Sequence, residues 1–148
     1  MRVAVDTNVL VYAEGLDDAG KHTISARTLR KLADDETLIP VQVLGELFNV
    51  LLRRGYTRIQ AAKVIRGWRQ ICRSIETGAE LLDRALELSV RHRLQIWDAV
   101  ILDAAAEGNC AVLLSEDFQN GFVWRGVTVC DPFVAKPHPL IADLVRGR

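Results

Sequence analysis

Short, almost wholly apolar segments alternate along this chain with longer segments whose apolar residues recur at helical spacing. Segment 110–114 is the clearest of the short ones, and segment 41–54 is the clearest of the long ones. A short continuous apolar run favours a strand buried on both faces, which is typical of a parallel sheet. Strands that alternate with helices pair in parallel through right-handed crossovers. The alternation therefore predicts an α/β protein.

Five strands and six helices follow from these patterns and from the residues that bound them. An apolar stripe of Val41, Leu44 and Leu47 supports the third helix. Thr57 and Thr77 are placed to cap the next two helices. The predicted strands are 2–5, 37–40, 74–76, 110–114 and 127–130, and the predicted helices are 8–14, 22–33, 41–54, 58–71, 78–92 and 97–107. We predict a three-layer α/β/α sandwich with a central parallel sheet of four to five strands.

Length and composition restrict the class of protein further. A chain of 148 residues with 49% hydrophobic residues is expected to form one soluble domain over residues 1–148. Its apolar runs are too short to span a membrane, and no secretory leader pattern opens the chain, so a cytoplasmic location is expected. The net charge of zero argues against a simple polycationic binder.

Four acidic residues stand where an apolar segment meets a turn or a helix start: Asp6, Glu46, Asp98 and Asp117. Asp6 ends the first strand and Asp117 follows the strand 110–114, so both belong to the carboxyl edge of the sheet, where such folds bind ligands. Glu46 lies early in a helix that follows a strand and starts at the same edge. Asp98 opens a helix that precedes a strand, and it reaches this edge only if a further turn or helix reversal intervenes.

Each acid also has a structural explanation that the pattern leaves open. Asp6 could cap the first helix, Asp98 could compensate a helix dipole, and Asp117 could form a turn with Ser115. Glu46 lies between Val43 and Val50 at helical spacing, which is a poor place for an idle surface charge. If the four acids converge, their mutual repulsion requires a divalent cation, usually Mg²⁺ or Mn²⁺.

A basic segment without acidic residues separates Glu46 from Glu76. Within it, Lys63, Arg66 and Arg69 share neighbouring parts of one predicted helix surface, because they are spaced three residues apart. Segments of one charge sign favour polyanions, so these side chains are candidate RNA contacts. A solvated helix face explains them equally well.

Four short motifs, in this order, resemble those of the PIN-domain nucleases. They are VAVDTNVL at the start, GEL in the third helix, WDAVILDAAAEG, and LLSEDFQNG. The resemblance extends from Val3 to about Phe133, and the subgroup most similar is that of the VapC-like toxins of bacterial toxin–antitoxin pairs.

This resemblance implies roles for particular residues. It implies that Asp6, Glu46, Asp98 and Asp117 are catalytic residues that bind a metal, and it places the helix of the third acid beside the site. It gives supporting roles to two polar neighbours, Asn8 and Ser115. Glu116 competes with Asp117 in the last motif, and we favour Asp117 because the family has its acid two residues after the hydroxyl.

The resemblance also implies an activity and partners. Family members are Mg²⁺- or Mn²⁺-dependent ribonucleases, often homodimers, and the toxins are inhibited by a cognate antitoxin. The leading hypothesis is an endoribonuclease toxin that acts on RNA. A housekeeping RNA-processing nuclease and an inert RNA- or protein-binding module are the alternatives.

Apolar and aromatic residues outside the motifs suggest two further contacts. The helices that flank Gly55 carry apolar residues that could bury surface in self-association or against a partner: Val50, Leu51, Leu52, Tyr56, Ile59, Ile65 and Trp68. Trp68 and Trp124 could stack on RNA bases, although tryptophan is more often a core residue.

Overall fold

The computed structural model describes residues 1–34 and 36–147. Its strands are β1 (Val3–Val5), β2 (Thr37–Pro40), β3 (Arg73–Ile75), β4 (Val112–Leu114), β5 (Val123–Trp124) and β6 (Val127–Cys130). Its α-helices are α1 (Thr7–Ala13), α2 (Ala19–Lys31), α3 (Val41–Arg53), α4 (Arg58–Ile71), α5 (Ala79–His92), α6 (Ile96–Glu107) and α7 (Ala142–Val145), and a 3₁₀ turn covers Pro139–Ile141.

All strands join one sheet in the order β3-β2-β1-β4-β6-β5. Every neighbouring pair from β3 to β6 is parallel, and only β5 runs antiparallel to its neighbour. The strands β1, β2 and β4 are buried throughout, as expected when helices cover both faces of a sheet. The predicted α/β sandwich with a parallel sheet of four to five strands is confirmed, because five strands are parallel, and β5 adds an antiparallel strand at the edge.

Eight of the eleven predicted elements begin or end at other residues than expected, most of them by a single residue. Helix α2 begins at Ala19 instead of residue 22, because the side chain of Asp18 accepts a hydrogen bond from the backbone of Lys21 and caps the helix earlier. Strand β3 begins one residue earlier than predicted, at Arg73. Strand β4 lacks the first two predicted residues, because the Cys110 backbone still bonds to the end of the preceding helix.

The capping predictions had mixed outcomes. Thr57 caps α4 in a complete capping box with Gln60, as predicted. The prediction that Thr77 caps α5 is wrong, because that helix begins after Gly78 and its first turn receives no side-chain cap. Strand β5 was not predicted, since two residues carry no recognisable alternation.

Helices α5 and α6 form an antiparallel hairpin that places the start of α6. They are joined by residues 93–95, and Arg93 adopts a left-handed conformation with φ of 55°. Arg84 near the start of α5 contacts Asp103 and Glu107 near the end of α6. This hairpin is the helix reversal that the sequence requires if Asp98 is to reach the carboxyl edge of the sheet.

The core is formed by the central strands and by α6. Seven consecutive residues of this helix, 99–105, are buried. A helix that is apolar nearly all round lies in the interior of a domain. Within the described part of the chain, no helix combines the length and apolar character that crossing a membrane requires.

Candidate active site

Asp6 and Asp117 meet because β1 and β4 are neighbouring parallel strands. Asp6 follows the last residue of β1, and Ser115 follows the last residue of β4. The Asp6 backbone donates a hydrogen bond to the carbonyl of Leu114 at 3.0 Å, which joins the two strand ends. Both loops therefore leave the sheet at its carboxyl edge, as predicted.

Hydrogen bonds tie these two loops into one polar network. The Ser115 hydroxyl donates to Oδ2 of Asp6 at 2.7 Å and accepts from the backbone N–H of Asp117 at 3.1 Å. The Asn8 amide donates to Oδ2 of Asp117 at 3.0 Å, and lies 3.3 Å from the Ser115 hydroxyl and 3.4 Å from Oδ2 of Asp6. Asn8 and Ser115 thus contact both acids.

Glu46 approaches the same place from α3. The Thr7 hydroxyl, at the start of α1, donates to Oε2 of Glu46 at 2.6 Å. The adjacent Thr7 backbone N–H donates to Oδ1 of Asp6 at 2.7 Å, so Asp6 also caps α1. Asp6 therefore both caps α1 and belongs to the acidic site.

Asp98 completes the group from the first turn of α6. It is half-buried, and its charge interacts with those of Asp117 and Glu46. We call Asp6, Glu46, Asp98 and Asp117 the acidic cluster. The fold thus brings together four residues that lie up to 111 positions apart in the sequence.

Burial and mutual repulsion both disfavour the charged form of the carboxyls in the acidic cluster. Burial raises the pKa of Asp6 to about 7, opposed by the hydrogen bonds from Ser115 and Thr7 and reinforced by the charges of Asp117 and Asp98. Burial, followed by repulsion from Asp117 and Glu46, raises the pKa of Asp98 to about 6. A pocket of raised carboxyl pKa values marks a candidate functional site.

Glu116 points away from the acidic cluster. Its carboxylate pairs with the Lys21 ammonium at 2.6 Å and accepts a hydrogen bond of 2.5 Å from the Tyr12 hydroxyl. Asp117, in contrast, is bonded to Asn8 inside the cluster. These contacts favour Asp117 over Glu116 as the acid of the last motif.

The donor chemistry of the acidic cluster fits a hard divalent cation, because all four side chains offer carboxylate oxygens. Among residues 1–34 and 36–147, however, no three His, Cys, Asp or Glu side chains are already arranged as a metal site. The Asn8 amide and the Thr7 hydroxyl bond to the carboxylates instead. The four carboxylates are therefore ligands of the type that such an ion prefers. Two of them, Glu46 and Asp117, accept hydrogen bonds from Thr7 and Asn8.

The three histidines contact other parts of the fold. His22 bonds to the Tyr12 carbonyl at 2.8 Å, and His138 caps the 3₁₀ turn near the end of the chain. His92 packs edge-on against Phe122. None of these contacts involves the acidic cluster, so the site offers carboxylate chemistry and no histidine base.

A cleft of about 380 Å³ opens beside the acidic cluster. Thr7, Asn8, Glu46 and Asp117 line one part of it. Its other walls include the carboxyl-terminal half of α3. The cleft, which we call the acidic cleft, is open and polar enough to admit part of a large substrate.

The structure places the candidate RNA contacts of α4 outside the acidic cleft. Lys63, Arg66 and Arg69 are all exposed. Arg66 and Arg69 border a groove of about 580 Å³ between α3 and α4, whose other lining residues are Val41, Leu44, Gly45, Phe48, Ala62 and Ile65. Lys63 borders a separate depression beside Tyr56. None of these three basic residues lines the acidic cleft.

Two of the three tryptophans are poor candidates for base stacking. Trp68 and Trp124 are partly buried against the core, and their indole N–H groups donate to Glu14 and Asp103 at 2.7 and 3.0 Å. Trp97, which precedes Asp98, is 45% exposed. Trp97 was not among the residues predicted to stack on bases, although its place next to Asp98 in the WDA motif could have suggested that role.

The fold and the site define a small α/β protein with an acidic pocket at the carboxyl edge of its parallel sheet. The family model of the PIN domain matches residues 3–120, so the chain belongs to the PIN-domain family. No functionally curated protein shows significant sequence similarity to it.

Solved structures with the same fold include toxins and toxin–antitoxin complexes. The Mycobacterium tuberculosis toxin VapC20, described as cleaving the sarcin-ricin loop, is 23% identical, with 83% of this chain and 97% of that chain covered and a TM-score of 0.69. A toxin–antitoxin complex from Klebsiella pneumoniae is 16% identical, with coverages of 85% and 95% and a TM-score of 0.66. VapBC2 from Rickettsia felis, bound to a DNA fragment from its promoter, is 18% identical, with coverages of 87% and 97% and a TM-score of 0.65.

Proposed function

We propose that this protein is a metal-dependent endoribonuclease that hydrolyses RNA phosphodiester bonds and serves as the toxin of a toxin–antitoxin pair. Membership of the PIN-domain family and the likeness to VapC20 support this proposal. The observation that carries it is the convergence of four carboxylates at one sheet edge, where two of them have raised pKa values.

In this proposal the acidic cluster binds Mg²⁺ or Mn²⁺, because carboxylate oxygens are the ligands these ions prefer. Such an ion would supply positive charge at the phosphate and would make a water molecule more acidic. The chain's own polar residues hold the carboxylates in place: Ser115 and Asn8 between the two strand ends, and Thr7 between α1 and α3.

The direct test is cleavage of a panel of structured RNAs, with Mg²⁺ or Mn²⁺ and with EDTA. We expect cleavage only with the metal ion, and we expect Asp6→Asn and Asp98→Asn to abolish it. Asp83→Asn, which changes an exposed carboxylate on α5, is the matched control and should leave the rate unchanged. Cleavage that persists in both purified cluster mutants would refute the assignment of the site.

An antitoxin partner is proposed because two of the similar structures are toxin–antitoxin complexes. The groove between α3 and α4 has a largely apolar lining, which suits the apolar face of a partner helix. We propose that the partner also places an Arg or Lys side chain in the acidic cluster, where its charge competes with the metal ion. A partner that still inhibits after all its Arg and Lys residues are replaced would exclude this blocking mechanism.

A homodimer is also proposed, and the burial of most apolar residues around Gly55 favours a different surface for it than the one expected from the sequence. Of the seven apolar residues flanking Gly55, only Ile59 is exposed, at 85%, and Leu51 is fully buried. An exposed apolar stripe lies instead on α5 and consists of Leu82, Leu86 and Val90, spaced four residues apart. We call it the α5 stripe and propose that two copies of the chain bury it against each other.

The toxin role and a housekeeping role in RNA processing use the same site. The observation that separates them is a small adjacent reading frame whose product binds this protein and stops cleavage. A nuclease with no such neighbour would point to the housekeeping role.

A further inference from the structure

Helix α3 extends one face of the acidic cleft well beyond the acidic cluster. Glu46, Asn49, Val50 and Arg53 all line this cleft. Their spacing of three, four and seven residues places them on one side of the helix. Seven residues correspond to about 10 Å along a helix axis, so Arg53 lies about that far from the position of Glu46.

Two arginines end this helix face, and they differ in their partners. The guanidinium of Arg54 forms a bidentate ion pair with Asp17, at 2.7 and 2.9 Å. Arg53 is exposed and forms no ion pair or side-chain hydrogen bond with any residue in 1–34 or 36–147. Within the described chain, Arg53 is therefore the cation of the acidic cleft whose charge is left for a ligand.

An acidic site that acts on a polyanion needs positive charge nearby, because its own carboxylates repel the substrate. A guanidinium suits this purpose, since it offers a planar pair of donors that match two phosphate oxygens. Arg53 lies about two helical turns, or about 10 Å along the helix axis, from the end of the cleft that Glu46 lines. It is well placed for a phosphate further along the same strand.

We infer that Arg53 forms a second phosphate subsite in the acidic cleft and binds a phosphodiester that neighbours the scissile one. The inference rests on the proposed nuclease function and names its substrate more closely, as an extended single strand that lies along α3 from the acidic cluster to Arg53. Arg53 is a substrate-binding residue in this scheme and takes no part in the bond cleavage. Asn49, between Glu46 and Arg53 on the same face, borders the path of the strand.

A binding experiment tests this inference without depending on cleavage. A fluorescently labelled single-stranded oligoribonucleotide is titrated with the protein in EDTA, at several salt concentrations, and anisotropy is measured. We expect Arg53→Gln to weaken binding by about three- to tenfold and to reduce the slope of log K against log salt by about 0.7. Arg53→Lys should restore most of the slope, because it restores the charge.

Arg58→Gln is the matched control. Arg58 is an exposed arginine at the start of α4 and does not line the acidic cleft. Its replacement should change neither the affinity nor the slope. An Arg53→Gln protein that matches the wild type in both quantities would overturn the inference, and so would an equal effect of Arg58→Gln.

A kinetic experiment then separates the second subsite from the first. On an oligoribonucleotide, Arg53→Gln should raise KM and leave kcat nearly unchanged. On the same oligonucleotide with neutral methylphosphonates flanking the cleaved bond, wild type and Arg53→Gln should have equal KM. A difference that persists on the neutral substrate would place Arg53 at the scissile phosphate and overturn the inference.

The two proposals fail in distinguishable ways. If the wild type cleaves no RNA, the proposed activity fails, while the anisotropy result still decides whether Arg53 binds a phosphate. If Arg53→Gln keeps its RNA affinity but loses binding to an acidic partner protein, Arg53 belongs to a protein interface and the second subsite is excluded.

Discussion

At the scale of single residues, Asp6 and Asp98 are wholly or partly buried carboxyls whose ionised forms lower the stability of the folded protein. Asp6 is 2% exposed and Asp98 is half-buried, and both have raised pKa values. A carboxyl whose pKa is higher in the folded than in the unfolded state binds its proton more tightly when folded. The stability that this provides is fully present below the unfolded pKa of 3.8, and it is lost as pH rises through the folded values of about 6 and 7.

We therefore expect Asp98→Asn to raise the melting temperature of the metal-free protein at pH 7.5 and to leave it nearly unchanged at pH 4. The amide removes a buried charge, and the Asp98 carboxylate accepts no side-chain or backbone hydrogen bond from the described residues that would be lost. The measurement is thermal unfolding after dialysis against EDTA, with Asp83→Asn as the exposed control. A gain of equal size at both pH values would contradict the assignment of Asp98 to a repulsive cluster.

The same pKa values predict how nuclease activity depends on pH. In the proposed function, a metal ion would bind the ionised carboxylates and would have to displace any proton on Asp6 or Asp98. Activity should therefore fall as pH decreases from about 7 to 6, and a higher Mg²⁺ concentration should shift the midpoint to lower pH. Rates measured at two Mg²⁺ concentrations test this, and a midpoint that does not move would show that another group controls the profile.

Neighbouring residues Glu116 and Asp117 should have separable roles. Asp117→Ala should abolish cleavage without lowering the melting temperature, because it removes one of the charges that repel Asp6 and Asp98. Glu116→Ala should lower stability by about 1–2 kcal/mol and keep most of the activity, because Lys21 and Tyr12 lose their acceptor. Cleavage rates and thermal unfolding of both variants are compared, and the reverse pattern would show that Glu116 is the site residue.

At the scale of elements, a buried acid joins the α5–α6 hairpin to the edge of the sheet. Asp103 on α6 is fully buried. Its carboxylate pairs with Arg84 of α5 and with Arg125 of the turn between β5 and β6, both at 2.9 Å. It also accepts a hydrogen bond from the indole N–H of Trp124. Three elements are thus tied to one carboxylate, which positions the hairpin that carries Asp98 to the site.

Asp103→Ala should destabilise the protein by about 1–3 kcal/mol, because it leaves the indole N–H of Trp124 and two partly exposed guanidinium groups without their acceptor. Urea unfolding measures the change, and Asp83→Ala on α5 should have almost no effect. At temperatures where Asp103→Ala remains folded, RNA cleavage should be reduced but not abolished, because Asp103 helps to position the hairpin that carries Asp98 and does not itself touch the acidic cluster. A loss smaller than about 1 kcal/mol would mean that the network contributes little.

At the scale of the whole molecule, the α5 stripe is an exposed apolar surface that a second copy of the chain could cover. Val90 is 83% exposed and Leu86 is 48% exposed, whereas most of the apolar residues around Gly55 pack on the core. If the proposed dimer forms through this stripe, the double change Leu86→Lys with Val90→Lys should convert it into a monomer, as measured by light scattering at micromolar concentration.

Ile59→Lys is the matched control on α4, because Ile59 is 85% exposed and lies outside the α5 stripe. It should leave the dimer intact. If Ile59→Lys gives a monomer and the α5 change does not, the interface lies beside α3 and α4. A wild-type monomer would exclude self-association through either surface.

The sequence by itself determined the order and type of most elements. Thr57 with Gln60, the apolar stripe of α3 and the buried run of β4 act within a few residues, so their patterns can be read locally. It also placed Asp6 and Asp117 at the same edge, since strand ends in a parallel sheet share a direction. The motifs added the roles expected of Asn8 and Ser115.

Only the tertiary structure decided how distant residues combine. Asp98 reaches the site because α5 and α6 reverse as a hairpin held by Asp103, and no local pattern specifies that packing. The separation of Glu116 from Asp117, the pairing of Arg54 with Asp17 and the position of Arg53 in the acidic cleft likewise depend on which side chains meet across the fold. Local sequence sets backbone preferences, whereas charge, burial and contact arise from neighbours that lie far away along the chain.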